Sequence, residues 1–316
     1  WYPTECAPRM YPIEIVTGNI TTEDSTQISV PAGKIMYNGW GELGSTFISD
    51  PIRKATPTKL SIHWFSYAED QFYGGDFTLP TDSIRVAFKE GYTSPFIGEQ
   101  KTFSSVMIGM APNGAVVVWL KGDLLCREVA FFNAQKEEGN WKAICSNTSW
   151  TRKEYVEAQL HETLDSAAIT LIKKQRTSQF PDLWNNTYRE RFKLLPNFVT
   201  RSTITQVICT YFNGEVEMLT PESERWPRVT RPLPKSYAAY WTNPVGQKLG
   251  GEIEFDFEEL EQAIAAFKRE KADLTNDALS IQVEINSVDH TISNPILRDG
   301  ERQFPLHKVS MRSFGM

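Results

Sequence analysis

The feature that most constrains the fold is a segment that occurs twice. "PTKLSIHW", from Pro57 to Trp64, is echoed by "PKSYAAYW", from Pro234 to Trp241, with the prolines and the tryptophans each 177 residues apart. A glycine pair follows both copies: Gly74 and Gly75 in "FYGGDFTL", Gly250 and Gly251 in "KLGGEIEF", at a shift of 176. Upstream, "YNGWGE" from Tyr37 resembles "YFNGEVE" from Tyr211; downstream, "DSIRVAF" resembles "ELEQAIAAF". Four matches in one order at nearly one offset point to an internal duplication. Glycine inside a strand marks a bulge or a close backbone approach, so the Gly-Gly pairs read as fold elements. The turns before them, "SYAEDQFY" and "TNPVGQKL", differ, and divergent turns on a shared scaffold are where partner specificity is expected.

Local patterns give each copy a strand, turn, strand and helix. "KLSIHWFSY" and "QFYGGDFTL" have the aromatic and β-branched content of strands. Thr81 or Asp82 is the expected cap of a short helix carrying Ile84, Ala87 and Phe88. Asp256 with Glu259 resembles a capping box, and Leu260, Ala263, Ile264 and Phe267 follow at helical spacing. Further strands are expected at "SSVMIGM" and "AVVVWLKG" around the turn "APNG", and at "LSIQVEIN" and "PLHKVSMRSF". Between the copies, Thr151 with Glu154 opens the longest expected helix, its stripe formed by Val156, Leu160, Leu164, Ala167, Ala168 and Leu171. The expectation is an α+β fold of two similar lobes, each a mainly antiparallel sheet with a packed helix, joined by a longer helix. The boundaries read as 1–150 for the first lobe, 151–200 for the helical connector and 201–316 for the second lobe.

The chemistry of catalysis does not stand out. The histidines, His63, His161, His290 and His307, form no HxxxH and stand beside no cysteine at ligand spacing, so no metal site is expected. Ser45 lacks the glycine of a nucleophile elbow, no serine is followed three residues on by lysine, and no phosphate-binding glycine loop follows a strand. The pairs Glu69–Asp70 and Glu258–Glu259 read as a solvated turn and a helix start. No catalytic residue and no cofactor is expected. A net charge of −6 argues against nucleic acid or an anionic membrane face as partner. No uninterrupted apolar run of spanning length occurs. The chain opens on Trp1 rather than Met, which fits removal of a leader.

The aromatic residues are more informative. Trp40 sits in the glycine-rich "NGWGELG", Trp184 and Trp226 lie in proline-punctuated stretches, and Tyr67, Phe72 and Tyr73 bracket the first hairpin turn. Such residues are core plugs or interface anchors. As anchors they would have an acidic rim in Glu42, Glu69 and Asp70, with Asn243 and Gln247 at the second divergent turn. The cysteines leave two readings open: Cys126 bridged to Cys145 across a hairpin with Cys6 and Cys209 as the remaining pair, or four buried free thiols.

"YNGWGELGSTF", "LSIHWFSYAEDQFYGGDFTLP" and "GMAPNGAVVVWLKG" together resemble a bacterial lipoprotein family known only as a domain of unknown function. The likeness is good from Tyr11 to Gly122 and weaker beyond, where "EYVEAQL" and "YFNGE" still fit. Members are often encoded beside lipase effectors of the type VI secretion system. The resemblance therefore implies an immunity protein that binds a phospholipase toxin in the periplasm, and it supplies no catalytic residues. It also implies a membrane anchor through an acylated cysteine. "PTE" before Cys6 does not suit acylation, so that cysteine is expected upstream of Trp1. Cys6 is then free for a disulfide, which a periplasmic setting favours. The competing expectations are an envelope lipoprotein that takes a small ligand or glycan between its lobes, and a hydrolase with unfamiliar motifs.

Overall fold

Pro57–Ser66, the first copy of the repeated segment, is a strand of alternating burial in the computed structural model. The structure describes residues 1–45, 53–94, 98–145, 147, 149–220, 229–270, 279–300 and 302–315. Two units divide the chain, Trp1–Asn185 and Asn186–Met316. Both are mixed α and β, mostly sheet, with four α-helices in all among the described residues.

The first unit runs β1 (Tyr2–Cys6), β2 (Ile13–Thr22), β3 (Gln27–Ser29), β4 (Pro57–Ser66), β5 (Gln71–Thr78), α1 (Thr81–Glu90), β6 (Ser105–Ala111), β7 (Ala115–Lys121), β8 (Cys126–Asn133) and β9 (Gln135–Glu137), then α2 (Arg152–Thr163) and α3 (Ser166–Thr177). Its strands pair in the orders β1-β6-β7-β8 and β9-β5-β4-β2-β3; besides these nine there are three two-residue strands, Ile35–Met36 paired with β2, and Tyr92–Thr93 paired with Gln100–Lys101. The β1–β6 pair is parallel and the others are antiparallel. One buried cluster joins both sheets and α1, with Ile13, Ile15, Ile62, Trp64, Ile84, Val106, Ile108, Val116 and Val118 at its centre.

The second unit runs β10 (Leu194–Val199), β11 (Thr203–Tyr211), β12 (Val216–Leu219), β13 (Pro234–Thr242), β14 (Lys248–Phe255), α4 (Phe257–Glu270), β15 (Leu279–Glu284), β16 (Ile296–Asp299), β17 (Arg302–Pro305) and β18 (Val309–Gly315). Its orders are β10-β15-β16-β17 and β18-β14-β13-β11-β12, with β10–β15 parallel and the rest antiparallel. Each of these pairings matches one in the first unit, nine strands earlier. The register matches as well: His63 faces Gly74 across β4–β5, and Tyr240 faces Gly250 across β13–β14.

The glycine pairs have a shared packing cause. A Cβ on Gly74 would come 2.3 Å from His63 Nδ1 and 2.6 Å from a Glu137 carboxyl oxygen. With no Cβ there, His63 on β4 reaches across β5 to bond Glu137 on β9 at 2.9 Å. A Cβ on Gly250 would come 2.4 Å from the ring of Phe314, which leans over it from β18. In both units the first glycine makes room for a side chain from the outer strand.

Several local expectations need correction. The single long helix is two, because Leu164 is extended (φ −129°, ψ 153°) and Asp165 caps a new helix by accepting from the Ala168 N–H at 2.8 Å. The break shifts the phase of the stripe, so Ile169 and Ile172 are buried while Leu171 is exposed. Both helices lie within the unit Trp1–Asn185. Before α1 stands Pro80, with no side-chain cap; Asp82 instead pairs with Arg85 at 2.5 Å. At α4, Asp256 accepts from the Glu259 N–H, but the Glu259 carboxylate turns away to accept from the His307 and Lys308 N–H groups.

Gly114, in the β6–β7 turn, has φ +76°, and a Cβ there would sit 2.5 Å from the Ala134 carbonyl oxygen. Gly114→Ala is expected to cost about 1–3 kcal/mol in urea unfolding followed by circular dichroism. Gly74→Ala should cost less, since the His63 and Glu137 tips can swing aside. Equal costs would contradict this account.

Candidate functional site

The first divergent turn is tied down by residues far away in sequence. Asp70 takes the left-handed conformation at φ 51°, which suits a short polar side chain. The Glu69 carboxylate accepts from the Ser66 hydroxyl (2.8 Å), the Tyr73 hydroxyl (2.7 Å) and the Asn113 N–H (3.0 Å). From α2, Arg152 donates to the Asp70 carboxylate at 2.7 Å, and its guanidinium lies 5.3 Å from the Phe65 ring centre. From α3, Arg176 donates to the Ala68 and Tyr67 carbonyls at 2.7 and 2.8 Å.

Beneath the turn, Tyr67 is fully buried and donates to the Glu14 carboxylate at 2.6 Å. Burial, then the bond to Glu14, pushes the Tyr67 phenol far above the ordinary tyrosine range, and burial raises the Glu14 carboxyl. Phe72 is buried, and buried Tyr73 stacks on Trp64 at 5.4 Å. Tyr67, Phe72 and Tyr73 are therefore core plugs and not outward anchors, while the carboxylates of Glu69 and Asp70 are engaged in closing the turn. The sequence gives no local sign of this, because the closing arginines stand more than eighty residues away in the chain.

The second divergent turn stays open. Asn243 is buried and closes it, accepting from the Val245 and Gln247 N–H groups and donating to Gln247 Oε1 at 2.9 Å. Val245, at the tip, is 80% exposed.

The Trp40 loop presents a surface. Trp40 is half-buried, edge-on to Trp119 at 4.9 Å and to Trp184 at 6.2 Å. Asn38 braces the loop by donating to the Glu42 carbonyl (2.8 Å) and accepting from the Ala7 N–H (3.3 Å). With the indole anchored, Tyr37 (41% exposed) and Leu43 (47%) face solvent. Glu42 pairs with Arg9 at 3.2 Å on the same surface, next in sequence to exposed Met10. Lys34, Met36, Tyr37, Asn38 and Gly44 line a cavity of about 190 Å³. Against Gly44 lies the carboxyl of Glu5, fully buried, with Oε1 accepting from the Ser45 N–H (2.9 Å) and 3.3 Å from Lys34 Nζ. Its Oε2 has no hydrogen-bond partner among the described residues. Trp226 lies outside the described residues.

Among the described residues no group of three or more His, Cys, Asp or Glu could hold a metal ion. The only histidine side chain that bonds a carboxylate among the described residues is His63, which meets Glu137 on the sheet. All four cysteines are buried and none is in a disulfide, which agrees with the second of the two open readings. The hairpin that would have joined Cys126 to Cys145 does not form: β8 pairs with β7, and Trp141–Ala143 is a 3₁₀ turn. Burial pushes the Cys6 thiol up to about 12. No helix among the described residues is long and apolar enough to cross a membrane.

Burial raises the Glu5 carboxyl above the ordinary value of 4.5, against opposing contributions from Ser45 and Lys34. A folded pKa above the unfolded one means that ionisation costs more in the folded state. The contribution of Glu5 to stability thus falls as pH rises from the unfolded value through the folded one. Glu5→Gln should gain stability relative to the parent as pH rises above the ordinary carboxyl value of 4.5, read by urea unfolding at each pH. A difference independent of pH would contradict the burial.

The family described as "Protein of unknown function (DUF2931)" matches residues 1–181, which hold the Trp40 loop, the Glu69 turn and both helices over it. No curated protein and no solved structure matches the chain. The family match spans more than half of the 316 residues, and the chain belongs to the DUF2931 family of proteins of unknown function.

Proposed function

We propose that this is an immunity protein, which binds a type VI secretion phospholipase effector in the periplasm and blocks it by stoichiometric complex formation. In its full-length form it would be held at the membrane by an acylated cysteine upstream of Trp1. The effector class and the location rest on the sequence resemblance alone. The observation that carries a binding role is the Trp40 loop. Its indole is sunk against Trp119 while Tyr37 and Leu43 are held outward beside the Arg9–Glu42 pair. An aromatic and an aliphatic side chain on a braced loop suit an interface anchor, since little conformational entropy is lost on binding. Of the expected contact residues, Trp40 positions this surface and Glu42 lies on it, whereas Tyr67, Phe72 and Tyr73 are buried beneath the first hairpin turn.

We further infer that the two units descend from an internal duplication. The support is the nine-strand correspondence of order and direction, with the β4–β5 and β13–β14 registers preserved. In this reading the first copy has buried its hairpin turn under α2 and α3, so its contact surface is the Trp40 loop.

Mixing the protein with the lipase encoded beside its gene tests the assignment. Calorimetry should show one-to-one binding, and phospholipid hydrolysis should stop. Tyr37→Ala combined with Leu43→Asp should weaken binding by about tenfold or more without changing the unfolding midpoint. No heat of binding at micromolar concentrations would sink the pairing with that lipase, and unchanged affinity in the double variant would move the contact elsewhere.

A further inference from the structure

The parallel strand pairs end differently in the two units. In the first, β1 and β6 finish side by side, followed by the β1–β2 loop and the β6–β7 turn. The chain's own segment after α3 lies across both. Tyr11, from the β1–β2 loop, meets the ring of Phe180 at 6.1 Å and that of Trp184 at 5.2 Å, edge-on in each case. Asn113, from the β6–β7 turn, donates from Nδ2 to the Phe180 and Pro181 carbonyls at 3.4 and 3.3 Å. Phe180 and Trp184 are buried there. The end of the sheet is thus filled by an extended aromatic–proline segment, read through its rings and its backbone oxygens.

In the second unit, β10 and β15 finish side by side with Val199 opposite Glu284. The loops that follow correspond in the topology to the two above, but here they line a cavity of about 390 Å³ between Val199–Arg201 and Ile285–Val288. That volume falls in the range of binding pockets, about 300–1,000 Å³. Its rim is apolar and outward-facing: Val199 is 46% exposed and Val288 87%. Its base is braced by hydroxyls, with Ser287 Oγ 3.1 Å from Thr200 Oγ1, 3.3 Å from Ser202 Oγ, and accepting from the Arg201 N–H at 3.1 Å. The Arg201 side chain, exposed beside it, makes no ion pair among the described residues.

We infer that this open end is a docking site for an extended segment of a partner polypeptide, in which an aromatic residue precedes proline and an acid follows. The internal precedent supplies the occupant. Phe180-Pro181 fills the matching end of the first unit, and Asp182 follows it in sequence, as an acid would to meet Arg201. An aromatic ring would enter between Val199 and Val288, where burying its area supplies most of the binding energy. The inference rests on the duplicated topology and not on the identity of any effector, so its test uses no lipase.

The probe is a fluorescein-labelled peptide with the sequence of residues 178–186, SQFPDLWNN, titrated with the full chain and followed by anisotropy. Saturable binding is expected. Val199→Asp with Val288→Asp should weaken it by about tenfold or more, and Arg201→Glu should weaken it several-fold. A peptide with serine and glycine in place of its phenylalanine and proline should not bind. Unfolding midpoints equal to the parent's would show that these surface variants fold. No saturation up to about millimolar peptide would overturn the inference. Binding unchanged in both variants would do the same. So would a concentration-dependent dimer lost in the valine variant without peptide uptake, which would give this face to a second copy of the chain.

Discussion

Each unit depends on a parallel pairing made across almost its whole frame. β1 bonds β6 with Tyr2 opposite Ser105, and between them come β2 to β5 and α1, which belong to the other sheet or cover it. Parallel strands cannot be joined by a tight turn, so the chain must cross over and return. Here the crossover contains the second sheet, and the β1–β6 bond ties the two sheets together. Closing so long a loop costs entropy, which burial must offset. The residues that do so are continuous apolar runs. Val106 to Met110 and Ala115 to Leu120 are buried, as central strands covered on both faces should be. The second unit repeats the device with β10 and β15, where Leu279, Ile281 and Val283 have no exposed surface.

That architecture sets where polar chemistry can lie. A hairpin turn at the edge of such a core buries carboxylates, and a buried carboxylate costs least when its oxygens are bonded. Glu69 has three donors and Glu14 has the Tyr67 hydroxyl, so acids and aromatics beside one another in "SYAEDQFY" are structural complements. The same composition would suit an acidic-rimmed recognition surface. Residue types alone do not separate the two, because the deciding groups, Arg152 and Arg176, come from helices outside the repeat.

What the sequence reveals and what it hides follow the range of the forces involved. The β4–β5 and β13–β14 hairpins, the "APNG" turn and the buried face of α4 are set by periodicity and turn chemistry within about a dozen residues, and they were legible. The break at Leu164 was carried by "LDSAA", a local capping signal that the longer apolar stripe outweighed. The fate of the cysteines was not legible, since "AFFNAQKE" leaves one sheet and joins the other after a single residue. At the candidate site, "YNGWG" marked the loop. That Trp40 points in and Tyr37 points out depends on Trp119 and Trp184, which no local pattern names.

The family match stops at residue 181, one residue after Phe180, so α2, α3 and the start of the plugging segment go with the first unit's strands. The second unit has the same nine-strand frame, and among its described residues the only α-helix is α4. Its hydrophobic cluster is nevertheless complete, from Phe192 through Leu306. The frame therefore does not need the plug to bury its core. In the first unit, the arginines of α2 and α3 and the rings of Phe180 and Trp184 close an end that the sheets leave open. A binding surface can diverge only where the core does not dictate the residue, and the end of the parallel pair meets that condition in the second unit. The two units keep their common features where strands must pair and differ where side chains reach solvent, and it is in those differences that a partner can be recognised.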